Sequence, residues 1–244
     1  MNTTLRKVVW SEGCLLSQQH FQQWEAGQEA EKNFLRESLA AWSYGLRHLE
    51  IDEKALTYGK LIITRCQAIF PHGFMIDYDA RFAPRLSCTL EKTESATINI
   101  YLGLPCSPGV KGLTGYSPLS SVPAWLADYR LVADDYDSAR QREVLFAHPN
   151  LVLLQEKDQR DNFFSLKILE LRTINAQEFA VEASYLPPVL SVAAAPWLSI
   201  CLNHQLEALA AKKNLLMERR RQFRSDLEAF NHSDLADFLL LQLF

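Results

Sequence analysis

Six histidines and five cysteines are the residues of this 244-residue chain best suited to chemistry, and their spacing assembles none of it. His20, His48, His72, His148, His204 and His232 form no H-E-x-x-H or other metal-binding spacing. Cys14, Cys66, Cys88, Cys106 and Cys201 are odd in number, scattered and without a C-x-x-C pair. That is the pattern of reduced thiols in a cytosolic protein, not of a disulfide frame or a zinc site. His232-Ser233-Asp234 holds the residue types of a catalytic triad, but neighbours opening a helix cannot reach one another in triad geometry, so they read as a cap. Gly115-Tyr116-Ser117-Pro118-Leu119 lacks the final glycine of G-x-S-x-G, and no strand-to-helix elbow follows it. No glycine pattern that cradles phosphate is present. The expectation is a chain with no catalytic residues, no cofactor and no metal.

Binding remains. Lys plus Arg number 25 against 29 Asp plus Glu, a formal charge of -4, which argues against general nucleic-acid binding. Lys212, Lys213, Arg219, Arg220, Arg221 and Arg224 make one stretch basic, but Glu207, Glu218, Asp226 and Glu228 are interleaved, as on a solvated or salt-bridged helix face. The most apolar long stretch, Leu186 to Leu202, carries Pro187, Pro188 and Pro196 and is shorter than the ~20 clean apolar residues of a span. The first residues turn polar again at Ser11-Glu12, so no secretory apolar region follows them.

The elements that would position a binding surface are legible in the periodicity. Phe21, Trp24, Phe34 or Leu35, Ser38 or Leu39, and Trp42 recur at three- and four-residue steps and predict a helix over 18–43, which Gly27 weakens by roughly 1 kcal/mol relative to Ala. From 45 to 186 the period changes to two. Phe74, Ile76 and Tyr78 alternate with Met75, Asp77 and Asp79, and Ile98, Ile100, Leu102 and Leu104 with Asn99, Tyr101 and Gly103. Phe164, Leu166 and Ile168 share one face, as do Phe179, Val181 and Ala183, with turn residues separating the runs. No amphipathic helix of useful length intervenes, which excludes βαβ repeats and predicts an antiparallel sandwich or barrel. Prolines and glycines from Leu104 to Trp125 predict a long loop.

At Pro187-Pro188 the period changes again, and Pro196 suits the first turn of a helix. Leu202, Leu209, Leu216, Phe223 and Phe230 fall at intervals of seven, with Leu206, Lys213, Arg220 and Leu227 beside them. A heptad kept this long predicts bundling, with those five positions as the candidate subunit seam, although packing within one chain also explains it. Leu235, Ala236, Phe238, Leu239, Leu240, Leu241, Leu243 and Phe244 leave a last helix apolar nearly all round, which predicts a bundle completed by other chains or by further sequence.

The segment before the first helix, Val8 to Gln23, sets Trp10, Gly13, His20 and Phe21 among glutamines. Glutamines donate and accept without charge, and the aromatics supply burial. The segment reads as a helix entry docked on the sheet. It also resembles the N-terminal signature of the TssK (VasE/ImpJ) family of type VI secretion baseplate proteins, approximately W-x-E-G-M-x-L-x-P-Q-H-F-Q. Trp10, Glu12, Gly13, Leu16, Gln19, His20, Phe21 and Gln22 match it, while Cys14 stands for the Met and Gln18 for the Pro. Phe70-Pro71-His72-Gly73 followed by Ile76-Asp77, Tyr185-Leu186-Pro187-Pro188 ahead of Ala195-Pro196, and Arg219-Arg220-Arg221 leading to Ser233-Asp234-Leu235 follow in family order.

The resemblance implies a fold that is mixed but mainly β. An N-terminal helix and an antiparallel β-sandwich, a shoulder like that of phage receptor-binding proteins, fill 1–186. The start of an α-helical neck fills 187–244, and the C-terminal head is expected to be absent. It implies a non-enzymatic structural adaptor of the baseplate, cytoplasmic and assembling at the inner face of the inner membrane. The implied partners are the TssF-TssG wedge, held by the shoulder, sister copies in a homotrimer, and the TssJ-TssL-TssM membrane complex through the head alone. No nucleic acid and no membrane insertion are expected. Trp10, Glu12, Gly13, Gln19, His20, Phe21 and Gln22 are the candidate wedge-binding residues, with the Pro105 to Pro123 loop as a second segment. Shoulder packing explains the same residues equally well. The other function class is a ligand- or carbohydrate-binding β-sandwich module, which predicts an exposed aromatic platform or a pocket.

Overall fold

The computed structural model describes residues 6–91, 97–113, 122–175 and 178–223, with backbone alone for 219–223. It divides into two compact units, 1–194 and 195–244.

In the first unit, helix α1 (Gln18–Leu39) precedes β1 (Gly45–Ile51), the single turn α2 (Glu53–Leu56), β2 (Lys60–Ile69), β3 (Met75–Asp79) and β4 (Leu86–Thr89). There follow β5 (Thr97–Pro105), β6 (Val110–Lys111), β7 (Trp125–Ala133), β8 (Gln141–Pro149), β9 (Val152–Gln155), β10 (Phe163–Thr173) and β11 (Phe179–Val181). Among the described residues, β1-β2-β3 with β4 on β2 form one antiparallel sheet, and β11-β10-β5-β9 form another. The inner faces of these sheets share one buried cluster. Leu61, Ile63, Cys66, Ile76 and Tyr78 come from the first sheet, and Ile100, Leu102, Leu166, Ile168 and Leu171 from the second. This is the mainly β sandwich that the period-two runs predict. Strand β5 follows the alternation closely, with Ile98, Ile100, Leu102 and Leu104 inward. In β10 the register shifts between Lys167 and Leu169, so Leu166 and Ile168 give way to Leu169 and Leu171 without breaking the core.

Polar groups that enter the sandwich are partnered. The Asp79 side chain, 9% exposed, accepts from Arg65 Nη1 at 2.7 Å and from Arg81 Nη2 at 2.6 Å. It also accepts from the Arg81 amide at 2.9 Å. These donors, Arg81 first, hold its carboxyl well below the usual carboxylate range. Tyr78 donates its hydroxyl to Pro84 O and accepts from the Leu86 amide.

Three sequence expectations change. The first helix ends at Leu39, not at 43, because Ala40 is extended and Trp42 turns the chain with φ +58°. The long loop is interrupted by β6, which pairs parallel to β7, and its residues 114–121 lie outside the described ones. Residues 187–194, grouped by periodicity with the helical part, sit in the first unit. The Leu46 amide donates to Pro188 O at 2.8 Å, and the Leu190 amide donates to Leu46 O at 2.7 Å. Gly45 allows that approach, since at φ +133° a Cβ would lie 2.4 Å from Pro188 O.

Among the described residues, the second unit contains α3 (Pro196–Phe223). Proline opens it as the spacing predicts, and Ala195 O accepts from the amides of Leu198 and Ser199. Among the described residues, no helix is long and apolar enough to cross a membrane.

Candidate assembly surfaces

None of the 22 residues of α1 is buried. At its start, His20 Nδ1 accepts from the Ser17 amide at 3.3 Å and from the Ser17 hydroxyl at 2.8 Å. With Nδ1 accepting, the ring proton sits on Nε2, which faces Cys14 Sγ at 3.6 Å. Trp10 lies 6.1 Å from the His20 ring and 6.3 Å from Phe21. The lead-in crosses the helix at Gly27, where a Cβ would stand 3.0 Å from Arg6 O. That close approach explains a glycine in mid-helix. A groove of about 490 Å³ between lead-in and helix is walled by Val8, Trp10 and Trp24 and rimmed by Arg6, Lys7 and Glu31.

Farther along, Arg36 ties the end of α1 to the segment that follows it. Arg36 Nη1 donates to Ser43 O at 2.9 Å and to Ser43 Oγ at 2.8 Å. The Phe70-Pro71-His72-Gly73 turn abuts the same residues. Gly73 has φ +96°, and a Cβ there would fall 2.0 Å from Asn33 Oδ1 and 2.9 Å from Arg36 Nη2. His72 stacks on Phe164 at 3.7 Å and on Phe74 at 6.2 Å. Burial first, then the Arg36 charge, push its pKa below the usual histidine value. Steps of three, eleven and four residues keep Phe21, Trp24, Leu35 and Leu39 on one side of the helix, and all four are at least half exposed.

Of the residues singled out in the lead-in, Trp10, His20 and Phe21 come together. Glu12, Gln19 and Gln22 are exposed, and Gly13 takes φ +79° in a turn. On α3, Leu202 and Leu209 are exposed, whereas Leu216 is buried. Phe223 closes the helix, with only its backbone described. Phe230, the His232-Ser233-Asp234 cap and the helix over 235–244 lie outside the described residues, as does Gly115-Tyr116-Ser117. Apolar side chains emerge on a second side of α3 as well, at Trp197, Ile200 and Leu215.

Sequence reasoning missed the β7–β8 ribbon. Its strands pair over nine residue pairs, from Trp125↔Pro149 to Ala133↔Gln141. The Asp134-Asp135-Tyr136-Asp137 turn cluster between two partly apolar runs was the available signal. Near its base, Asp128 accepts from His148 Nε2 at 2.8 Å and from Arg130 Nε at 2.5 Å, and these donors hold its carboxyl below the usual range.

The groove beside α1, at about 490 Å³, falls within the 300–1,000 Å³ typical of ligand sites. A second cavity, of about 170 Å³ and lined by Tyr78, Arg85, Leu126 and His148 among others, is below the 300–1,000 Å³ typical of ligand sites. Tyr101 lies under Arg160 at 3.9 Å, and Tyr185 under Lys167 at 4.3 Å, so neither is an open sugar platform. Among the described residues, no group of three or more His, Cys, Asp or Glu could hold a metal ion.

A sequence model of the bacterial type VI secretion family of EvfL, ImpJ and VasE matches residues 20–244. The type VI secretion system baseplate component TssK1 of Pseudomonas aeruginosa is 30% identical over 240 residues, 97% of this chain and 53% of that protein. The chain thus spans about half the length of the curated relative it matches. A chain of a type VI secretion baseplate complex superposes with a TM-score of 0.84 at 25% identity, over 98% of this chain and 54% of its own. One from a TssK-TssF-TssG baseplate subcomplex has the same fold, with a TM-score of 0.81 at 22% identity, over 98% of this chain and 76% of its own.

Proposed function

Because this chain belongs to the bacterial type VI secretion family of EvfL, ImpJ and VasE, we propose that it is a structural adaptor of a type VI secretion baseplate. In this reading the first unit, to residue 194, is the shoulder, and α3 begins the neck. The shoulder holds a TssF-TssG wedge through the exposed side of α1 and the lead-in against it, with Trp10, Glu12, Gly13, Gln19, His20, Phe21 and Gln22 at its start. The neck joins three copies along Leu202, Leu209, Leu216, Phe223 and Phe230. The assembly is cytoplasmic, at the inner face of the inner membrane. Linkage to the TssJ-TssL-TssM complex belongs to the head that the family resemblance implies, and no step of catalysis is assigned.

One observation carries this reading. An apolar, partly aromatic helix face is left open on α1, whose Arg36 is bonded to Ser43 just before β1 and whose Asn33 lies against the Gly73 turn. Large exposed apolar side chains held in fixed geometry lose little entropy on docking, and aromatic anchors dominate such interfaces. The TssK-TssF-TssG subcomplex among the structural relatives is consistent with it.

The test is co-purification of the chain with TssF-TssG, read by mass. A stable complex that the Phe21→Ala/Trp24→Ala pair weakens at least about tenfold supports the wedge surface. A folded chain that does not bind, or binds regardless of that pair, removes it. Leu209 is the better probe of the neck seam than the buried Leu216. Leu209→Asp is expected to lower the oligomer mass in light scattering, and an unchanged mass removes the seam.

A further inference from the structure

The lead-in runs antiparallel to α1, and the groove between them differs in chemistry from one end to the other. Trp10 lies beside His20 and Phe21 in the first turn of the helix, while Arg6 O lies against Gly27. From Phe21 to Gly27 the helix rises about 9 Å. The groove is therefore apolar where Trp10 and Trp24 wall it, and charged where Arg6, Lys7 and Glu31 rim it.

The charged end is unbalanced. Two cations face one carboxylate there, and the other polar residue, Gln28, is neutral. Among the described residues, neither Arg6 nor Lys7 makes an ion pair or a side-chain hydrogen bond. Both are exposed and contribute no pairing to the fold, so an external carboxylate meets two unpaired donors. The apolar end is open. Trp10 and Trp24 are 49% and 51% exposed, so the walls do not enclose the 70–90% of a compact small molecule that a ligand pocket buries. They suit an extended segment laid along the helix. Trp24 also belongs to the exposed side of α1 that Phe21, Leu35 and Leu39 continue, so the groove is continuous with the surface proposed for the wedge.

We propose that this groove seats an acidic peptide segment of the wedge with one apolar anchor. A large apolar side chain packs against Trp10 and Trp24, and a carboxylate pairs with Arg6 and Lys7. The proposal rests on the wedge reading above and adds to it the chemistry of the bound segment. At roughly 3.3 Å per extended residue, the anchor and the carboxylate stand two or three positions apart. Glu31, one helical turn beyond Gly27, repels a carboxylate placed farther along and so fixes the direction in which the segment lies.

The experiment is calorimetric titration of the full 244-residue chain with TssF-TssG from the same system, at about 50 and about 300 mM NaCl. Arg6→Glu/Lys7→Glu is expected to weaken binding about tenfold at the lower salt and to flatten its salt dependence. Glu31→Lys is expected to tighten binding about threefold, a gain that a damaged fold does not produce. If the Phe21→Ala/Trp24→Ala pair weakens binding while the charge variants match the parent at both salts, the wedge surface stands and the groove proposal falls. Tighter binding by the Arg6→Glu/Lys7→Glu variant also overturns it, since the segment would then be basic. A folded parent that binds no TssF-TssG at either salt removes both readings. If the charge variants change the mass of the chain by itself in light scattering, the occupant is a second copy and the proposal falls.

Discussion

Strand β5 and helix α1 spend similar apolar side chains in opposite ways. The strand buries six of its nine residues between neighbours, and the helix buries none of its 22. Leu102, inside β5, is fully buried, whereas Leu39, the last residue of α1, is 84% exposed. Burial on folding supplies stability within the chain, roughly 1.5–3 kcal/mol for each large apolar side chain. Apolar surface left open on a pinned element supplies nothing to the fold and is available for association. The sandwich is thus built for folding, while the apolar side of α1 remains available.

The sharpest way to break this contrast is to truncate both leucines. Leu102→Ala is expected to cost about 2–5 kcal/mol, because a cavity opens where neighbours cannot collapse. Leu39→Ala is expected to change stability by less than about 0.5 kcal/mol. Urea unfolding of the two variants checks the pair, and similar losses would mean that α1 is part of the core.

A smaller effect probes how α1 is held. Gly73→Ala combines φ +96° with a Cβ placed on Asn33 Oδ1. The expected loss is about 1–3 kcal/mol of backbone and contact strain, with faster hydrogen exchange confined to the last turns of α1. If exchange rises in the sandwich strands instead, the turn serves the core and not the helix.

The smallest effect is a pH dependence at the same joint. His72 titrates below the usual histidine value in the folded state, so the unfolded chain takes up its proton first as pH falls. Stability is fully present well above pH ~6.5 and declines as pH falls below it. Asp79 has the depressed carboxylate, and its contribution is lost lower, below about pH 4. Urea midpoints measured between pH 7 and pH 5 are expected to fall in the parent and to stay flat in His72→Gln. An equal slope in both would place the titrating group elsewhere.

Much of the sandwich was legible because alternation is a local property. Ile76 and Tyr78 in β3, and Ile98 to Leu104 in β5, point inward as their period dictates. The end of α1 was not legible, since the residues from Phe34 to Trp42 keep a helical period while Trp42, at φ +58°, turns the chain. The ribbon was missed because its strands are apolar on both faces and so lack the one-sided pattern that marks a strand packed on a core. The lead-in residues were legible as a group, yet only Trp10, His20 and Phe21 of them converge.

The sequence alone determined the period of each segment, the proline that opens α3, the want of metal or nucleophile spacing, and the family signature around Trp10 to Gln22. These depend on neighbours a few residues apart. The tertiary structure decided which apolar residues are spent inside and which stay open. It decided why Gly45 and Gly73 are glycines, since Pro188 and Asn33 approach from elsewhere in the chain. Those are facts of long-range approach, set by which surfaces meet once the whole chain is packed.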